Sequence, residues 1–219
     1  MGTELLGDLQ QGMPLVMEPL DLTRIGAERG GSERGGAGLL IVDIVNGFAT
    51  VGAGNLAPPV ANPQVSRMVA EADRLARSFA ARGWPIFALQ DCHVPGKAEP
   101  PYPPHCEAGT GEENLVPELQ WLEDEPHATL LRKDCINGFI GAFQSDGSNA
   151  LLDWLNHHAI TDVLAVGICT DICVMDTVLT LLSARNHGMA ESLRDIHVYD
   201  QGCATYDLPR DVAEELDLG

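Results

Sequence analysis

The sequence has no long apolar run and few basic residues. A helix that crosses a membrane needs about 20 consecutive apolar residues, and no stretch of this chain approaches that length. Its 13 lysines and arginines are outnumbered by 32 aspartates and glutamates, for a formal net charge of −19. This charge argues against nucleic acid or an anionic membrane surface as a partner.

The sequence also lacks the signs of secretion. Glu4, Asp8 and Glu18 occupy a terminus that has neither the basic region nor the apolar stretch of a signal peptide. Six cysteines in 219 residues do not show the close spacing of a small disulfide-stabilised domain. We therefore expect a reduced, cytoplasmic protein.

No internal repeat and no phosphate-binding loop is found. The glycine-rich stretch Gly30–Gly36 does not follow a strand, which such a loop requires. It is typical of a surface linker. We predict a partly flexible N-terminal segment, residues 1–37, followed by a single domain over residues 38–219.

Predicted strands alternate with predicted helices along this domain. Apolar runs predict strands at 39–42, 85–90, 128–132, 163–166 and 196–199. Amphipathic patterns predict helices from Asn62 to Gly83, from Ser148 or Asn149 onward, and from about Cys173 to His187. The alternation predicts an α/β fold, a doubly wound and mostly parallel β-sheet with helices on both faces.

Four strands end in, or lead directly to, a chemically useful side chain. These residues are Asp43, Asp91, Lys133 and Cys173. In a doubly wound sheet, ligands bind beyond the carboxyl ends of the strands. One such placement means little, but four at the same edge predict a site.

Cys173 is the candidate nucleophile of this site. It falls in the first turn of a predicted helix, where free N–H groups and the helix dipole favour a thiolate. Asp43 could take and return a proton, and Lys133 could stabilise both charges, which suits acyl transfer from an amide. The backbone N–H groups of Cys169 and Cys173 are the expected oxyanion donors.

Each residue also has a simpler interpretation. A buried cysteine is usually a small packing residue. Asp43 could be an ordinary residue of a turn at a strand end. Lys133 could be a solvated charge beside Arg132 and Asp134.

A second group of residues suits a metal ion. Asp91 and His93 are two residues apart, and His105 follows two prolines. One carboxylate and two imidazoles are suitable ligands for zinc, iron or manganese, with positions left open for water or substrate. An Asp-x-His pair is common by chance, and His105 in a proline-stiffened turn strengthens the prediction.

Five sequence blocks occur in an order and spacing that are highly specific. They are Leu39–Asp43, Asp91-x-His93, Tyr102–Cys106, Arg132–Asp134 and Gly167–Val174. On these blocks the chain resembles the isochorismatase-like cysteine hydrolases over residues 38–208. Within them it is similar to the nicotinamidases, most of all to the plant-type branch.

The resemblance implies a role for each member of the first group. Cys173 would be the nucleophile, Asp43 the general base and then acid, and Lys133 the third member of the triad. The peptide bond between Ile168 and Cys169 would be cis.

It also implies how the substrate is held. Asp91, His93 and His105 would bind one divalent metal ion, zinc first among the candidates, and the metal would bind the pyridine nitrogen of nicotinamide. Phe48 and Tyr102 would flank the ring. The metal motif separates nicotinamidases from other members of the fold family.

The reaction implied is hydrolysis of nicotinamide to nicotinate and ammonia through a cysteine thioester, in NAD salvage, by a homo-oligomer. Pyrazinamide is a candidate second substrate. One alternative is a metal-free hydrolase of another small amide or a vinyl ether. Another is an inactive relative that acts as a binding protein. Asp207–Leu218 allows only a short final helix.

Overall fold

The computed structural model describes residues 36–97 and 99–206. Most of the predicted flexible segment, residues 1–35, and the predicted final helix at 207–218 lie outside the described residues. Among the described residues, no helix has both the length and the apolar character that a membrane span requires. All six cysteines are free, as expected for a chain without a disulfide framework.

The strands form one parallel sheet, which confirms the predicted fold class. The strands are β1 (Ala37–Val42), β2 (Ile86–Asp91), β3 (Ala128–Lys133), β4 (Asp162–Ile168) and β5 (Asp195–Ala204). Their order in the sheet is β3-β2-β1-β4-β5, and every neighbouring pair is parallel. The central strand β1 is buried along its whole length.

Helices cover both faces of this sheet. They are α1 (Asn46–Ala49), α2 (Pro63–Ala80), α3 (Gly138–Gly141), α4 (Ala150–His157) and α5 (Met175–Asn186), with a 3₁₀ helix at Pro117–Asp124. The apolar face of α2 packs on one side of the sheet. Helices α3, α4 and α5 pack on the other side. The core is therefore two apolar layers separated by the sheet.

Local capping chemistry explains where the long helices begin. Asn62 precedes α2, and its side chain accepts hydrogen bonds from the N–H groups of Gln64 and Val65 at 2.9 and 3.3 Å. Asn149, rather than Ser148, caps α4 in the same way. Such caps accept hydrogen bonds from backbone N–H groups that have no acceptor within the helix. A short sequence signal therefore places the helix start correctly.

Two predicted elements differ from the structure. Helix α5 begins at Met175, and Cys173 lies in a preceding π-helical turn, Thr170–Val174. The carbonyl of Cys169 accepts the N–H groups of Ile172 and Val174, both at 3.1 Å, which replaces the regular α-helical pattern. Strand β5 runs on to Ala204, beyond the predicted end at Tyr199, because its ladder with β4 resumes after a bulge.

Gly167 allows β4 to lie close to β1. Its φ of +144° is rarely adopted by residues with a side chain, and an added Cβ would lie 2.1 Å from the carbonyl oxygen of Val42. Glycine is therefore required at this point of the sheet. The peptide that follows Ile168 is cis, as the resemblance implies.

Candidate active site

The carboxyl edge of the sheet brings the four predicted strand-end residues together. Asp43 follows β1, Asp91 ends β2, Lys133 ends β3, and Cys173 lies in the turn after β4. Asp91 and Lys133 are register partners in adjacent strands. Sheet pairing alone thus positions side chains that are far apart in the sequence.

Lys133 joins two buried carboxylates. Its Nζ lies 2.8 Å from Asp43 Oδ2 and 3.0 Å from Asp91 Oδ1, and it donates to the carbonyl of Cys135 at 2.9 Å. Lys133 is 2% exposed, so its interpretation as a solvated charge is wrong. Burial alone would lower the pKa of Lys133, but the two carboxylates outweigh it and raise the pKa above its ordinary value.

Asp43 is a fully buried carboxylate with an unusual pKa. Burial raises its pKa to about 6, although Lys133 acts in the opposite direction. Its Oδ2 is paired with Lys133 at 2.8 Å, and the thiol of Cys173 is a hydrogen-bonding neighbour of the same carboxylate. Near neutral pH Asp43 is therefore largely ionised and can accept a proton.

Cys173 is buried beside Asp43, and its resting form is the thiol. Burial raises the pKa of the Cys173 thiol above its ordinary value, and the negative charge of Asp43 raises it further. The predicted position at the start of a helix is corrected, because α5 begins at Met175, and burial and the neighbouring carboxylates favour the thiol over the predicted thiolate. A nucleophilic Cys173 would therefore have to lose its proton as it attacks.

The predicted metal ligands converge on one point. Asp91 Oδ2 lies 2.9 Å from His93 Nε2 and 3.2 Å from His105 Nε2. One ligand atom from each residue can be chosen so that all three lie within 4.8 Å of one another. Burial would raise the pKa of Asp91, but His105, His93 and Lys133 hold it well below its usual range. The carboxylate is therefore ionised, as a metal ligand must be.

Hydrogen bonding prepares His105 for this role. Its Nδ1 donates to the carbonyl of Pro103 at 2.8 Å, which leaves Nε2 facing Asp91 and His93. A second hydrogen bond of this kind fixes the tautomer and the ring orientation of metal-binding histidines. Two imidazoles and one carboxylate fit a borderline divalent ion such as zinc.

Glu99 also faces the two histidines, and the sequence analysis missed it. Its Oε2 lies 3.5 Å from His93 Nε2 and 3.6 Å from His105 Nε2. Its Oε1 accepts the N–H of Ile136 at 3.1 Å, which holds the side chain in place. The signal in the sequence was an acidic residue in the loop between His93 and His105.

A cleft connects the thiol of Cys173 with Asp91 and His105. The two predicted ring-binding residues line it: the rings of Phe48 and Tyr102 lie 5.5 and 6.0 Å from the ring of His105. Further lining residues come from loops and turns that the sequence analysis did not connect to the site: Leu56, Glu99, Ile136, Ile172 and Tyr206. The cleft combines apolar walls with a nucleophile at one end and metal ligands at the other.

Sequence comparisons find related proteins. The family model described as "Isochorismatase domain" matches residues 37–214. Nicotinamidase 1 of Arabidopsis thaliana is 56% identical over 179 residues, which are 82% of this chain and 73% of that protein.

Solved structures share the fold. A nicotinamidase from Bacillus subtilis has a TM-score of 0.62 at 23% identity, over 83% of this chain and 92% of that one. A pyrazinamidase from Pyrococcus horikoshii, solved in complex with zinc, has a TM-score of 0.59 at 21% identity, over 83% and 93%.

Proposed function

The chain belongs to the isochorismatase family, and from this premise we propose that it hydrolyses nicotinamide to nicotinate and ammonia, the reaction of NAD salvage. One observation carries the proposal: a single cleft is lined by Cys173, the thiol of the Cys173–Asp43–Lys133 group, and by Asp91 and His105 of the Asp91–His93–His105 group. The first group suits acyl transfer from an amide. The second suits recognition of a ring nitrogen.

Substrate binding uses the metal end of the cleft. Asp91, His93 and His105 would hold a divalent ion, zinc by the nature of their donor atoms, which when bound offers a coordination position to a pyridine nitrogen. The Oε2 of Glu99 is near enough to act as a further ligand or to hydrogen-bond to a water there. Phe48 and Tyr102 provide aromatic surface beside the ring.

The first half of the reaction forms a thioester. Asp43 takes the proton from Cys173 as the sulfur attacks the carboxamide carbon. The negative charge on the oxygen is stabilised by the backbone N–H groups of Cys169 and Cys173. Asp43 then gives its proton to the leaving nitrogen, and ammonia departs. Lys133 favours the ionised form of Asp43 at the start of this step.

The second half releases the product. Asp43 takes a proton from a water molecule that attacks the thioester carbon. The carbon–sulfur bond breaks, Asp43 returns its proton to Cys173, and nicotinate leaves. The same carboxylate thus serves as base and acid in both halves.

The two alternatives are less well supported. A metal-free hydrolase of another small amide or vinyl ether would not require two histidines that converge on Asp91. A binding protein would not require a buried carboxylate of raised pKa next to a buried thiol. We also propose a cytoplasmic homo-oligomer that accepts pyrazinamide as well as nicotinamide.

Ammonia release from nicotinamide tests the function. The purified protein is assayed as prepared, after chelation, and after restoration of zinc, with Cys173→Ala as the matched inactive control. We expect activity that disappears on chelation and returns with zinc, and bound metal near one ion per chain. If chelation does not change the activity, the proposed catalytic triad would stand, but the proposed metal site would be refuted. No release in any metal state would refute the proposed substrate.

A further inference from the structure

Three aromatic side chains line the cleft, and Tyr102 and Tyr206 both lie near the thiols of Cys169 and Cys173. At the metal end, Phe48 and Tyr102 each lie against His105. At the thiol end, Tyr206 lines the cleft together with Cys169 and Cys173. Tyr206 follows strand β5 and belongs to none of the sequence blocks or predicted sites.

Two contacts hold Tyr206 at the thiol end. Strand β5 pairs with β4 up to its end, so that Ala204 lies opposite Ile168 and the chain leaves the sheet beside Cys169. The next residue, Thr205, donates its hydroxyl hydrogen to the side chain of Asp171 in the turn of the nucleophile. Tyr206 is therefore fixed to the turn that carries Cys173.

The phenol of Tyr206 is unsuited to proton transfer. Although Tyr206 is 36% exposed, partial desolvation raises the pKa of its phenol above the ordinary value, so the hydroxyl stays neutral. A neutral ring at the cleft wall acts through its shape. The ring therefore restricts the size of whichever part of the substrate lies beside it.

We infer that Tyr206 is a specificity-determining residue that limits the leaving group to the size of ammonia. The inference rests on the proposed function. With the ring nitrogen at the metal end, the carboxamide would lie between Cys173 and the Cys169 backbone, where Tyr206 is an aromatic wall beside it. A primary amide fits there. An acyl group with the same pyridine ring but a larger leaving group meets the Tyr206 ring.

Ethyl nicotinate is the probe, compared with nicotinamide. An ester is easier to cleave than an amide, so poor turnover of the ester reports space rather than reactivity. Both substrates form the same thioester, with ethanol or ammonia leaving after protonation by Asp43. Water then gives nicotinate in both cases. The ratio of the two kcat/KM values therefore isolates the step in which the leaving group matters.

Four variants separate the causes. Tyr206→Ala should raise the ester-to-amide ratio at least about tenfold, since a hydrophobic wall discriminates small groups by about 10- to 200-fold. Tyr206→Phe, which keeps the ring, should keep the wild-type ratio. Thr205→Val, which loses the bond to Asp171, should raise the ratio to an intermediate extent. Val198→Ala, at an exposed position of β5, is the matched control and should change nothing.

The outcomes are distinct. An unchanged ratio in folded Tyr206→Ala and Thr205→Val would overturn the inference while nicotinamide hydrolysis stands. A rise in Tyr206→Phe equal to that in Tyr206→Ala would also overturn it, because the hydroxyl and not the ring would then set the limit. A wild-type protein that releases no ammonia from nicotinamide would refute the proposed function, and the inference with it.

Discussion

At the scale of single residues, Lys133 connects the two halves of the site. One buried cation contacts a carboxylate of the triad, Asp43, and a carboxylate of the metal group, Asp91. All three side chains are withdrawn from solvent, so each charge depends on the others. Lys133 thereby has a structural role as well as a place in the proposed reaction.

Replacement of Lys133 by methionine should destabilise the protein by about 3–5 kcal/mol, because it leaves two buried carboxylates without their cation. The free energy of unfolding in urea measures the loss, and ammonia release should disappear. Arg132→Met, at the exposed neighbouring position, is the control and should change stability by less than about 1 kcal/mol. A Lys133→Met protein as stable as wild type would contradict the structure.

The activity should have an acid limb near pH 6. Asp43 has a pKa raised to about 6, and only its ionised form takes the proton of Cys173. As the pH falls below that value the carboxyl becomes protonated, and kcat/KM should drop tenfold per pH unit. The pH profile of kcat/KM for nicotinamide measures this. An acid limb near the ordinary aspartate pKa of about 4 would show that the pKa of Asp43 is not raised.

At the scale of elements, the sequence predicted those parts whose signals are local. Asn62 and Asn149 mark helix starts because their side chains bond the next backbone N–H groups. The turn holding Cys173 was misplaced, because its π-helical pattern depends on which groups the Cys169 carbonyl accepts. The end of β5 was missed because Asp200–Gly202 has no apolar run, and pairing with β4 alone makes it a strand.

The close approach of β4 to β1 should be sensitive to one methyl group. In Gly167→Ala, the new Cβ would meet the Val42 carbonyl and the backbone would be strained, at a cost of at least about 3 kcal/mol. Thermal and urea unfolding measure the loss. Gly52→Ala is the matched control: it has a positive φ but no atom within 4 Å, so it should show only the strain, about 1 kcal/mol. Equal losses in the two variants would refute the steric argument.

The loop between β2 and the 3₁₀ helix should contribute to metal affinity through Glu99. Glu99→Ala removes an oxygen that faces both histidines, and the affinity for zinc should fall by about 10- to 100-fold. Competition with a chelator of known affinity measures it. Lys97→Ala breaks an exposed ion pair of the same loop with Asp134 and should leave zinc affinity unchanged. Equal losses of zinc affinity in the two variants would mean that the ordering of the loop, rather than the Glu99 oxygen, sets the affinity.

At the scale of the whole molecule, the sheet explains why the site could be predicted. Each of Asp43, Asp91, Lys133 and Cys173 comes at or soon after a strand end, and parallel pairing brings those ends to one edge. Glu99 and Tyr206 belong to segments without a periodic pattern. The position of Glu99 depends on its hydrogen bond from Ile136, and that of Tyr206 depends on the hydrogen bond of the neighbouring Thr205 to Asp171. No local sequence signal reveals either contact.

The net charge of −19 should make stability depend on salt. Like charges on a compact surface repel one another, and added salt screens them. The Tm should rise by about 2–4 °C between low salt and about 0.5 M sodium chloride, which corresponds to roughly 1 kcal/mol in a domain of this size. Differential scanning calorimetry measures it. A Tm that falls over this range would mean that screened attractive pairs outweigh the repulsion.

The sheet also fixes a spacing that bears on regiochemistry. The candidate metal ligand Asp91 ends β2, the candidate nucleophile Cys173 follows β4, and β1 lies between these strands, so β2 and β4 are about two strand spacings, roughly 9.5 Å, apart. A ring held by its nitrogen then presents its carbonyl to the sulfur only if the two lie at the correct positions on the ring. Picolinamide and isonicotinamide, the positional isomers of nicotinamide, carry the same groups at other angles. We therefore expect this strand spacing to select among molecules of identical composition.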